Sequence, residues 1–377
     1  MEVHIERSFD DLPKSLLSQL ARGGSNPFMS SHFLGALESS QCVSPQQGWQ
    51  PQHLWIESDG QPNFYMPLYL KSHSWGEFVF DQSWAQAYRR VGLNYYPKLV
   101  TAIPFTPSLG PRWWCALPAQ EDACLALALG KIEQLSNQLH ASSWHLLFSK
   151  TALKIDGPSL LARRDTQFHW MNRDYESFDQ FLELLKSRKR KSIRREREKV
   201  EEQGVTLTRK LGSALDSEDW QQFYHCYCNT YRERGMEPYL NLSFFKQVGQ
   251  TLSEQIMMVQ AHRQGQNIAN AIFFFDDDVL YGRHWGALEK VDCLHFEACF
   301  YQGIEFCIEK GLQRFDPGTQ GEHKLMRGFE PVTTDSFHWI HHHGFRDAIA
   351  EYLQTESSQM ERYHQTATEY LPFKNDS

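Results

Sequence analysis

The chain has 377 residues with a formal net charge of −8, and 41% of its residues are hydrophobic. These values predict a globular protein with two domains, since one domain takes about 100 to 200 residues. They exclude a chain that is basic throughout, so a contact with nucleic acid would need a local basic patch. The eight cysteines show neither a Cys-x-x-Cys pair nor the spacing of a secreted disulfide framework, and we expect reduced thiols.

No segment has the pattern of a targeting or membrane-spanning sequence. The N-terminal segment carries charges where a signal peptide would have its apolar region, and no stretch approaches about 18 consecutive apolar residues. We therefore expect a cytoplasmic protein that does not insert into a membrane.

In the N-terminal half, strand and helix patterns alternate, which indicates a mixed α/β domain. The pattern predicts strands at 3–5, 53–57, 64–70 and 144–148, and helices at 12–20, 31–38 and 118–139. Pro67 should place its strand at a sheet edge or a bulge. Four prolines between 95 and 112 argue against a helix there.

The segment that follows the predicted strand at 64–70 combines aromatic and polar side chains. If its central part is a strand, Glu77 and Asp81 lie on one face and the phenylalanines between them on the other. If it opens into a cleft, these two acids are candidate bases, and His73 and Lys98 are candidate binding residues. The sequence leaves both interpretations open.

The second half begins with a strand at 168–171, which leads into a long helix. Ser177 and Gln180 form a capping box, and the helical pattern continues to about Gln203. Farther along, aromatic residues between 220 and 231 mark one face of another helix, either as core packing or as the wall of a pocket.

The long helix contains a concentrated basic run. Between 186 and 199 there are nine basic residues and only two acids. A solvated helix end is the ordinary explanation for such a run, but it also suits the phosphate oxygens of a nucleic acid. Arg190 and Arg194 are the candidate contacts within it.

The stretch 281–331 holds the densest cluster of unusual residues. It follows a hairpin with an acidic turn at 276–278, and its pattern predicts a helix at 293–310 and a short strand at 312–315. A glycine-rich, charged loop comes next, at 318–331. Loops of this kind lie where an α/β sheet usually presents its ligands, just past the carboxyl end of a strand.

The charged side chains of this loop make it the first candidate for chemistry. Glu322 and His323 could supply a base and a proton carrier, while Lys324 and Arg327 could hold an anion. Gln320 is a further candidate binding residue. A solvated surface loop is the alternative interpretation.

Several long motifs are similar to those of one bacterial family. They are GEFVFDQSWAQAY, PFTPSLGPR, LYGRHWG, LHFEACFYQGIEFCIEKGL and FDPGTQGEHKLMRGFEP. Over nearly its whole length the chain resembles proteins described as acting in peptidoglycan biosynthesis or recognition, which are grouped with Fem-type acyltransferases. The resemblance implies an α/β (α+β) protein with tandem domains of the GNAT-type N-acetyltransferase fold in a Fem-type architecture. We expect the domains at 1–165 and 166–377.

The resemblance also implies an N-acyltransferase that moves an acyl or aminoacyl group from an activated donor to an amine acceptor. The run Arg190-Lys-Ser-Ile-Arg194 looks like the Arg-x-x-Ile-Arg segment of Fem-type enzymes, which take amino acids from aminoacyl-tRNA. The chain departs from the acetyl-CoA pattern, because it has no Gln/Arg-x-x-Gly-x-Gly/Ala loop that could cradle a pyrophosphate. We expect no bound cofactor, with acyl-CoA or aminoacyl-tRNA as co-substrate and the basic helix as a candidate contact for tRNA.

Acyl transfer to an amine needs a base, a group that stabilises the oxyanion, and an acid. Glu297 or His295 is the predicted base, and Tyr301, one turn beyond Glu297 on the same helix face, is the predicted acid. An ordinary pair on a helix surface is the alternative for Glu297 and Tyr301. The side chains predicted to hold substrate or donor in this region are Arg283, Trp285, Lys324 and Arg327.

Two further function classes compete with the transferase. A metal-dependent enzyme could use His295 and Glu297 with Glu322 and His323, but no His-Glu-x-x-His motif is present, and we expect no metal site. A binding module that kept the fold without catalysis could recognise wall precursors or RNA through its aromatic residues and its basic helix.

Overall fold

The computed structural model describes residues 1–22, 26–151, 160–319 and 321–374. The chain forms two compact units, each of which is built from two separate segments. Unit 1 comprises Met1–Asp165 and Thr333–Glu361, and unit 2 comprises Thr166–Val332 and Arg362–Ser377.

Strands and helices alternate along most of the chain. The strands are β1 Glu2–Glu6, β2 Trp49–Pro51, β3 His53–Ser58, β4 Gln61–Met66, β5 Tyr69–Lys71, β6 Lys98–Thr101, β7 Trp114–Cys115, β8 Ser143–Leu147, β9 Leu160–Met171, β10 Val205–Leu211, β11 Ile256–Arg263, β12 Gln266–Phe275, β13 Val279–Ala287, β14 Arg314–Asp316 and β15 Glu330–Ile340. The helices are α1 Lys14–Arg22, α2 Ser31–Ser39, α3 Gln82–Arg90, α4 Glu121–Gln138, α5 Phe178–Glu183, α6 Ser187–Glu202, α7 Ser217–Arg232, α8 Leu242–Thr251, α9 Leu294–Phe296, α10 Gln302–Lys310 and α11 His343–Glu369.

Unit 1 has two sets of paired strands around one apolar core. The first is a sheet in the order β1-β3-β4-β7, and the second runs β15-β8-β6-β5-β2. The apolar stripe of α4, which includes Leu125, Ile132 and Leu135, packs with Leu54 and Trp144 of the strands. The predicted helix at 118–139 is confirmed, since α4 is preceded by one short 3-10 turn.

Pro67 separates two strands where the sequence pattern predicts one. β4 ends at Met66 and pairs with β3, whereas β5 begins at Tyr69 and pairs with β6 in the other set of strands. Proline has no N–H to continue a ladder, so the chain changes sheets at this point. The continuous strand predicted for 64–70, with Pro67 at an edge or a bulge, is wrong, because Pro67 lies between two strands.

The segment between Glu77 and Asp81 is not a strand. Phe78 has φ of +59°, a left-handed conformation that interrupts extended backbone. Of the two interpretations left open by the sequence, the ordinary strand is wrong. The acids instead lie in an irregular segment that leads into α3.

Unit 2 is organised around a sheet in the order β10-β11-β12-β13-β14-β9. The pairs are antiparallel except for β13 with β14, which is parallel. The predicted hairpin is confirmed as β12 and β13, and its turn is closed by Asp276, whose Oδ1 accepts from Val279 N at 2.7 Å. The core on one side of the sheet includes Trp170, Phe273 and Phe315.

The helix predicted to run unbroken to Gln203 is wrong, because it is divided into α5 and α6. Ser177 caps α5 as predicted, with its Oγ accepting from Gln180 N at 3.2 Å. The break lies where a distant segment pairs with the chain: Lys186 N donates to the Pro372 carbonyl at 2.8 Å. A contact between residues so far apart in sequence leaves no signal in the local helical pattern.

The helix predicted at 293–310 is confirmed with one irregularity. α9 and α10 are joined by a π-helical turn at Glu297–Tyr301, and Gly311 ends the helix with φ of +70°. π-turns are frequent at functional sites. The loop predicted after β14 is only partly correct, since Glu322–Arg327 forms a 3-10 helix.

Gly286 permits a close approach of β13 to the backbone of α7. A Cβ atom at this position would lie 2.1 Å from the backbone carbonyl carbon of Cys226 on α7. We expect Gly286→Ala to destabilise the protein by about 1 to 3 kcal/mol or more, because backbone cannot give way as a side chain can. Gly130→Ala in α4 is the matched control.

At Gly130 a Cβ atom would meet nothing within 4 Å, and the alanine should stabilise its helix by up to about 1 kcal/mol. Urea unfolding of both variants measures the difference. Equal stabilities of the two alanine variants would contradict the close packing of α7 on β13.

Among the helices described, none combines the length and the apolar character needed to cross a bilayer.

Candidate functional site

The candidate site in unit 2 lies where two parallel strands part. β13 and β14 pair at only three positions, Val279 with Arg314, Leu280 with Phe315, and Tyr281 with Asp316. β14 ends there, while β13 continues to Ala287 along β12. Among the described residues, the edge of β13 beyond Tyr281 therefore has no strand partner on the β14 side.

A β-bulge marks the same point on β13. His284 lies opposite Ile272 and Gly282 lies opposite Phe273, so Arg283 is the extra residue. A bulge bends its strand and redirects a side chain, and bulges are common beside active sites. The bulge and the end of β14 together open the sheet at its carboxyl edge, where α/β proteins bind ligands.

Two fully buried polar side chains, Asp316 and His169, lie at this opening, and neither is predicted from the sequence as a site residue. Asp316 Oδ1 accepts from Gly318 N at 3.0 Å and lies 3.6 Å from His169 Nε2. Burial lowers the pKa of His169 to about 4. Asp316 Oδ2 and His169 Nδ1 have no hydrogen-bond partner among the described residues. Buried polar atoms are seldom left unpaired, so these two are candidate ligand contacts.

Lys324 is the cation of this opening. Its side chain is buried, and Nζ donates to the Gly318 carbonyl at 2.6 Å. Burial lowers the pKa of Lys324 to about 8, although the neighbouring Asp316 acts in the opposite direction. The 3-10 helix at Glu322–Arg327 turns this lysine inward, which a solvated loop would not do.

Arg283 adds a second cation near Asp316. Burial lowers the pKa of Arg283 to about 10, while Asp316, Tyr231 and Tyr227 act to raise it. The predicted helix with aromatic residues is α7, in which Trp220 and Tyr227 are buried and Tyr231 is half-buried. The tyrosines of α7 thus both pack the core and lie close to the bulge.

The predicted residues His295, His323 and Trp285 form an aromatic group. The His295 ring lies 5.5 Å from the Trp285 ring and 6.3 Å from the His323 ring, centroid to centroid. His295 is solvent-exposed, yet the protein around it and the charges of His323, Lys324 and Arg327 lower its pKa to about 4. Its imidazole is therefore neutral at pH 7, and the lowered pKa makes it a weaker proton acceptor than an ordinary histidine.

Glu297, the other predicted base, is engaged in a buried ion pair. Its carboxylate accepts from Arg197 Nε at 3.0 Å and from the Arg197 terminal nitrogen at 3.1 Å, and Gln302 Nε2 donates to it at 2.8 Å. Burial raises the pKa of Glu297, and Arg197 acts against this shift. Both carboxylate oxygens of Glu297 already accept hydrogen bonds, whereas Oδ2 of Asp316 has no donor among the described residues.

Tyr301, the predicted acid, makes a separate network. Its hydroxyl donates to Glu196 and accepts from Arg327 Nε at 2.9 Å, and burial raises its pKa. Arg327 also pairs with Glu196 at 2.8 Å and lies over the Phe296 ring at 3.5 Å. Glu297 and Tyr301 thus bind successive residues of α6 and not each other.

The remaining predicted residues of unit 2 lie at its surface. The exposed Glu322 accepts from Tyr363 at 3.0 Å, and Arg194 pairs with Asp179 at 2.8 Å. Arg190 is half-buried and has no ion-pair partner in the described part of the chain. Gln320 lies outside the described residues.

Unit 1 holds a charge network of its own. Lys98 Nζ donates to Asp81, to Glu77 Oε2 at 2.7 Å and to Ser74 Oγ at 2.8 Å. Lys71 Nζ lies 4.0 Å from Glu77, and burial lowers its pKa to about 7. The structure therefore brings three of the four predicted residues of this region together as a compensated, buried set of charges.

His73, the fourth predicted residue of this region, is half-buried, and its Nδ1 accepts from Trp75 N at 3.2 Å. Burial and the charge of Lys71 lower its pKa. The structure records no hydrogen bond from His73 to Glu77, Asp81 or Lys98 within the described residues.

Across the described ranges, no three or more histidine, cysteine, aspartate or glutamate side chains are grouped so that they could hold a metal ion.

The chain matches one known protein family over nearly its whole length. A family model described as FemAB-like, peptidoglycan biosynthesis/recognition, matches residues 8–375. The chain belongs to the FemAB-like family. The resemblance inferred from the sequence motifs is confirmed, while no curated protein matches the sequence.

Solved structures share the fold of this FemAB-like protein at low sequence identity. FemX has a TM-score of 0.53 and 10% identity, over 93% of this chain and 100% of that chain. L-PGS from Bacillus licheniformis has a TM-score of 0.53 and 11% identity, and the match covers 87% of this chain and 91% of that chain. The C-terminal domain of a putative lysylphosphatidylglycerol synthetase from Agrobacterium fabrum has a TM-score of 0.52 and 8% identity, and the match covers 90% of this chain and 94% of that chain. The predicted tandem α/β fold of Fem type is confirmed.

Proposed function

We propose that this FemAB-like protein is an N-acyltransferase that moves an acyl or aminoacyl group from an activated donor to an amine acceptor of a cell-wall precursor. One observation carries the proposal: β13 and β14 part at a buried pair of opposite charges, Asp316 and Lys324. Such an opening admits a carbonyl group between backbone donors and a cation. The family description supports the cell-wall context.

The opening is suited to stabilise the oxyanion of the tetrahedral intermediate. Backbone N–H groups of β13 beyond Tyr281 have no strand partner on this side within the described part of the chain, and Lys324 Nζ lies at the same opening, bonded to the Gly318 carbonyl. Donors that are fixed before the reaction stabilise developing charge most effectively in a site that excludes water. We assign Lys324 to the oxyanion and Arg283 to a negatively charged group of the substrate.

Asp316 is the proposed proton acceptor, with His169 beside it. The acceptor ammonium gives one proton to Asp316 Oδ2, and the amine nitrogen then forms a bond to the donor carbonyl carbon. The donor C–O or C–S bond breaks, and a second proton passes from nitrogen to the leaving oxygen or sulfur. Asp316 fits this role better than Glu297, because Oδ2 has no other partner among the described residues.

We further propose that the donor is an aminoacyl ester and not a coenzyme A thioester. The turn between β13 and α9, residues 288–293, contains no glycine and two acids, Glu289 and Asp292. Glu289 pairs with Arg263. A pyrophosphate needs close backbone approach and a positive helix end, and this turn has neither a glycine nor an excess of cations, since Lys290 is its only basic residue.

A transfer assay with radiolabelled donors tests the proposal. Purified protein would receive aminoacyl-tRNA or acetyl-CoA together with a muropeptide precursor that carries a free amine, and thermal unfolding would be recorded with each compound. Transfer from aminoacyl-tRNA is the expected result. Transfer from acetyl-CoA alone would overturn the choice of donor. A raised melting temperature without turnover of any donor would favour the binding module.

A further inference from the structure

The basic run of α6 divides into two parts with different surroundings. Near its C-terminal end, Arg197 is committed to ion pairs with Glu297 at 3.0 Å and Glu305 at 2.6 Å. Residues 186–195 contain seven cations and no acid. Of these seven, Arg194 alone makes an ion pair with another described residue, the exposed Asp179. Six cations of this run are therefore left without a counter-charge from the described residues.

Three of these cations form a straight row. Arg188, Lys191 and Arg195 are exposed and follow one another at intervals of three and four residues, which places them on one side of the helix. At 1.5 Å per residue the row is about 10 Å long. The protein as a whole is acidic, with a net charge of −8, so this row is a local exception.

Exposed aliphatic side chains border the same run. Lys189 Nζ lies 2.9 Å from Met326 Sδ, and the Met326 side chain is 42% exposed. Leu184 is 43% exposed, and its carbonyl accepts from Lys374 N at 2.8 Å. Because the Pro372 carbonyl also holds Lys186, the segment that presents Leu184 is fixed on both sides.

We propose that this basic patch, Lys186 to Arg195 with Leu184 and Met326, docks the protein on the surface of an anionic phospholipid membrane. Unpaired cations would bind the headgroups, and the two aliphatic side chains would enter the boundary between headgroups and acyl chains. Single-stranded RNA would instead call for aromatic rings beside the cations, and the two exposed side chains named above, Leu184 and Met326, are aliphatic. The docking does not rest on the proposed acyl transfer, because Arg188, Lys191 and Arg195 are not residues of the opening at Asp316.

Flotation with lipid vesicles tests the docking. The protein should float with vesicles in which about a third of the lipid is phosphatidylglycerol, and remain below vesicles of pure phosphatidylcholine. Combining Arg188→Ala, Lys191→Ala and Arg195→Ala should weaken binding by about 100-fold, since each cation near the surface contributes about five-fold. The matched control removes three exposed cations of unit 1 by Lys14→Ala, Arg89→Ala and Arg90→Ala.

Further measurements separate the contribution of the cations from that of the aliphatic side chains, and distinguish a membrane from RNA as the partner. Met326→Gln should leave binding at low salt nearly unchanged and weaken it at high salt, where charge is screened. Equal loss in the patch and control variants, or equal binding to neutral vesicles, would overturn the proposal. Retention of tRNA or of an unstructured RNA in a gel-shift assay, without vesicle binding, would assign the patch to nucleic acid instead. Circular dichroism of each variant verifies that the helices are intact.

Discussion

Lys324→Met is expected to lower kcat/KM by about 10²- to 10³-fold, the usual effect of removing one oxyanion donor. The methionine keeps much of the volume of the buried side chain but lacks the charge that Nζ presents beside Gly318. Steady-state kinetics with the donor identified by the transfer assay would measure the loss. Lys310→Met, at the exposed end of α10, is the control and should keep the wild-type rate.

The pH profile gives this prediction a second, independent measurement. Only the ammonium form of Lys324 stabilises an oxyanion, and its pKa lies at about 8. The rate attributed to Lys324 should therefore be present below pH 8 and fall as the pH rises through that value, and the fall should be absent in Lys324→Met. A lowered lysine pKa also means that the unfolded state binds more protons between about pH 8 and 10.5, so stability should rise with pH across that window. Wild-type kcat/KM in the methionine variant would remove Lys324 from the mechanism.

Asp316→Asn and Glu297→Gln are expected to have different effects, although each replaces a buried carboxylate. Asp316→Asn removes the proposed proton acceptor and should lower kcat/KM by about 10²- to 10⁴-fold, the range for general acid–base groups. Glu297→Gln weakens the pair with Arg197 and should lower the free energy of unfolding by about 2 kcal/mol, with a smaller effect on the rate. Kinetics and urea unfolding of both variants provide the comparison.

The opposite pattern would reassign the base. If Glu297→Gln abolished transfer while its unfolding curve matched the wild type, Glu297 would be the proton acceptor, as the sequence first indicated. Loss of transfer in both variants with unchanged stability would require two proton-transfer groups. His295→Gln serves as a third variant, because its neutral and exposed imidazole could otherwise replace either carboxylate.

Local patterns predict most of the elements of this fold, and long-range contacts explain where they fail. The helical spacing of Phe296, Phe300 and Ile304 is a property of the segment itself, and the helix is present. The break between α5 and α6 depends on Pro372, which follows the last helix of the chain. No periodicity within residues 177–203 could reveal a partner at that distance.

In the candidate site too, the residues that depend on long-range contacts could not be predicted from the sequence. Lys324 and Arg283 are identifiable because a charged residue beside glycines after a strand is conspicuous in sequence. Asp316 looks like the closing residue of a turn, and His169 looks like one position of the buried strand Phe168-His-Trp-Met. Only the pairing of β9 with β14, in which Trp170 lies opposite Phe315, brings these two side chains together.

The composition of unit 1 from two separate segments has a consequence during synthesis. β8 pairs with β15 from Ser336 to Ile340, but the rest of unit 1 up to Asp165 leaves the ribosome first. At about 5 to 20 residues per second, β15 is synthesised roughly 10 to 40 seconds after β8. During that interval β8 is an unprotected edge of apolar strand, open to chaperones or to another nascent chain.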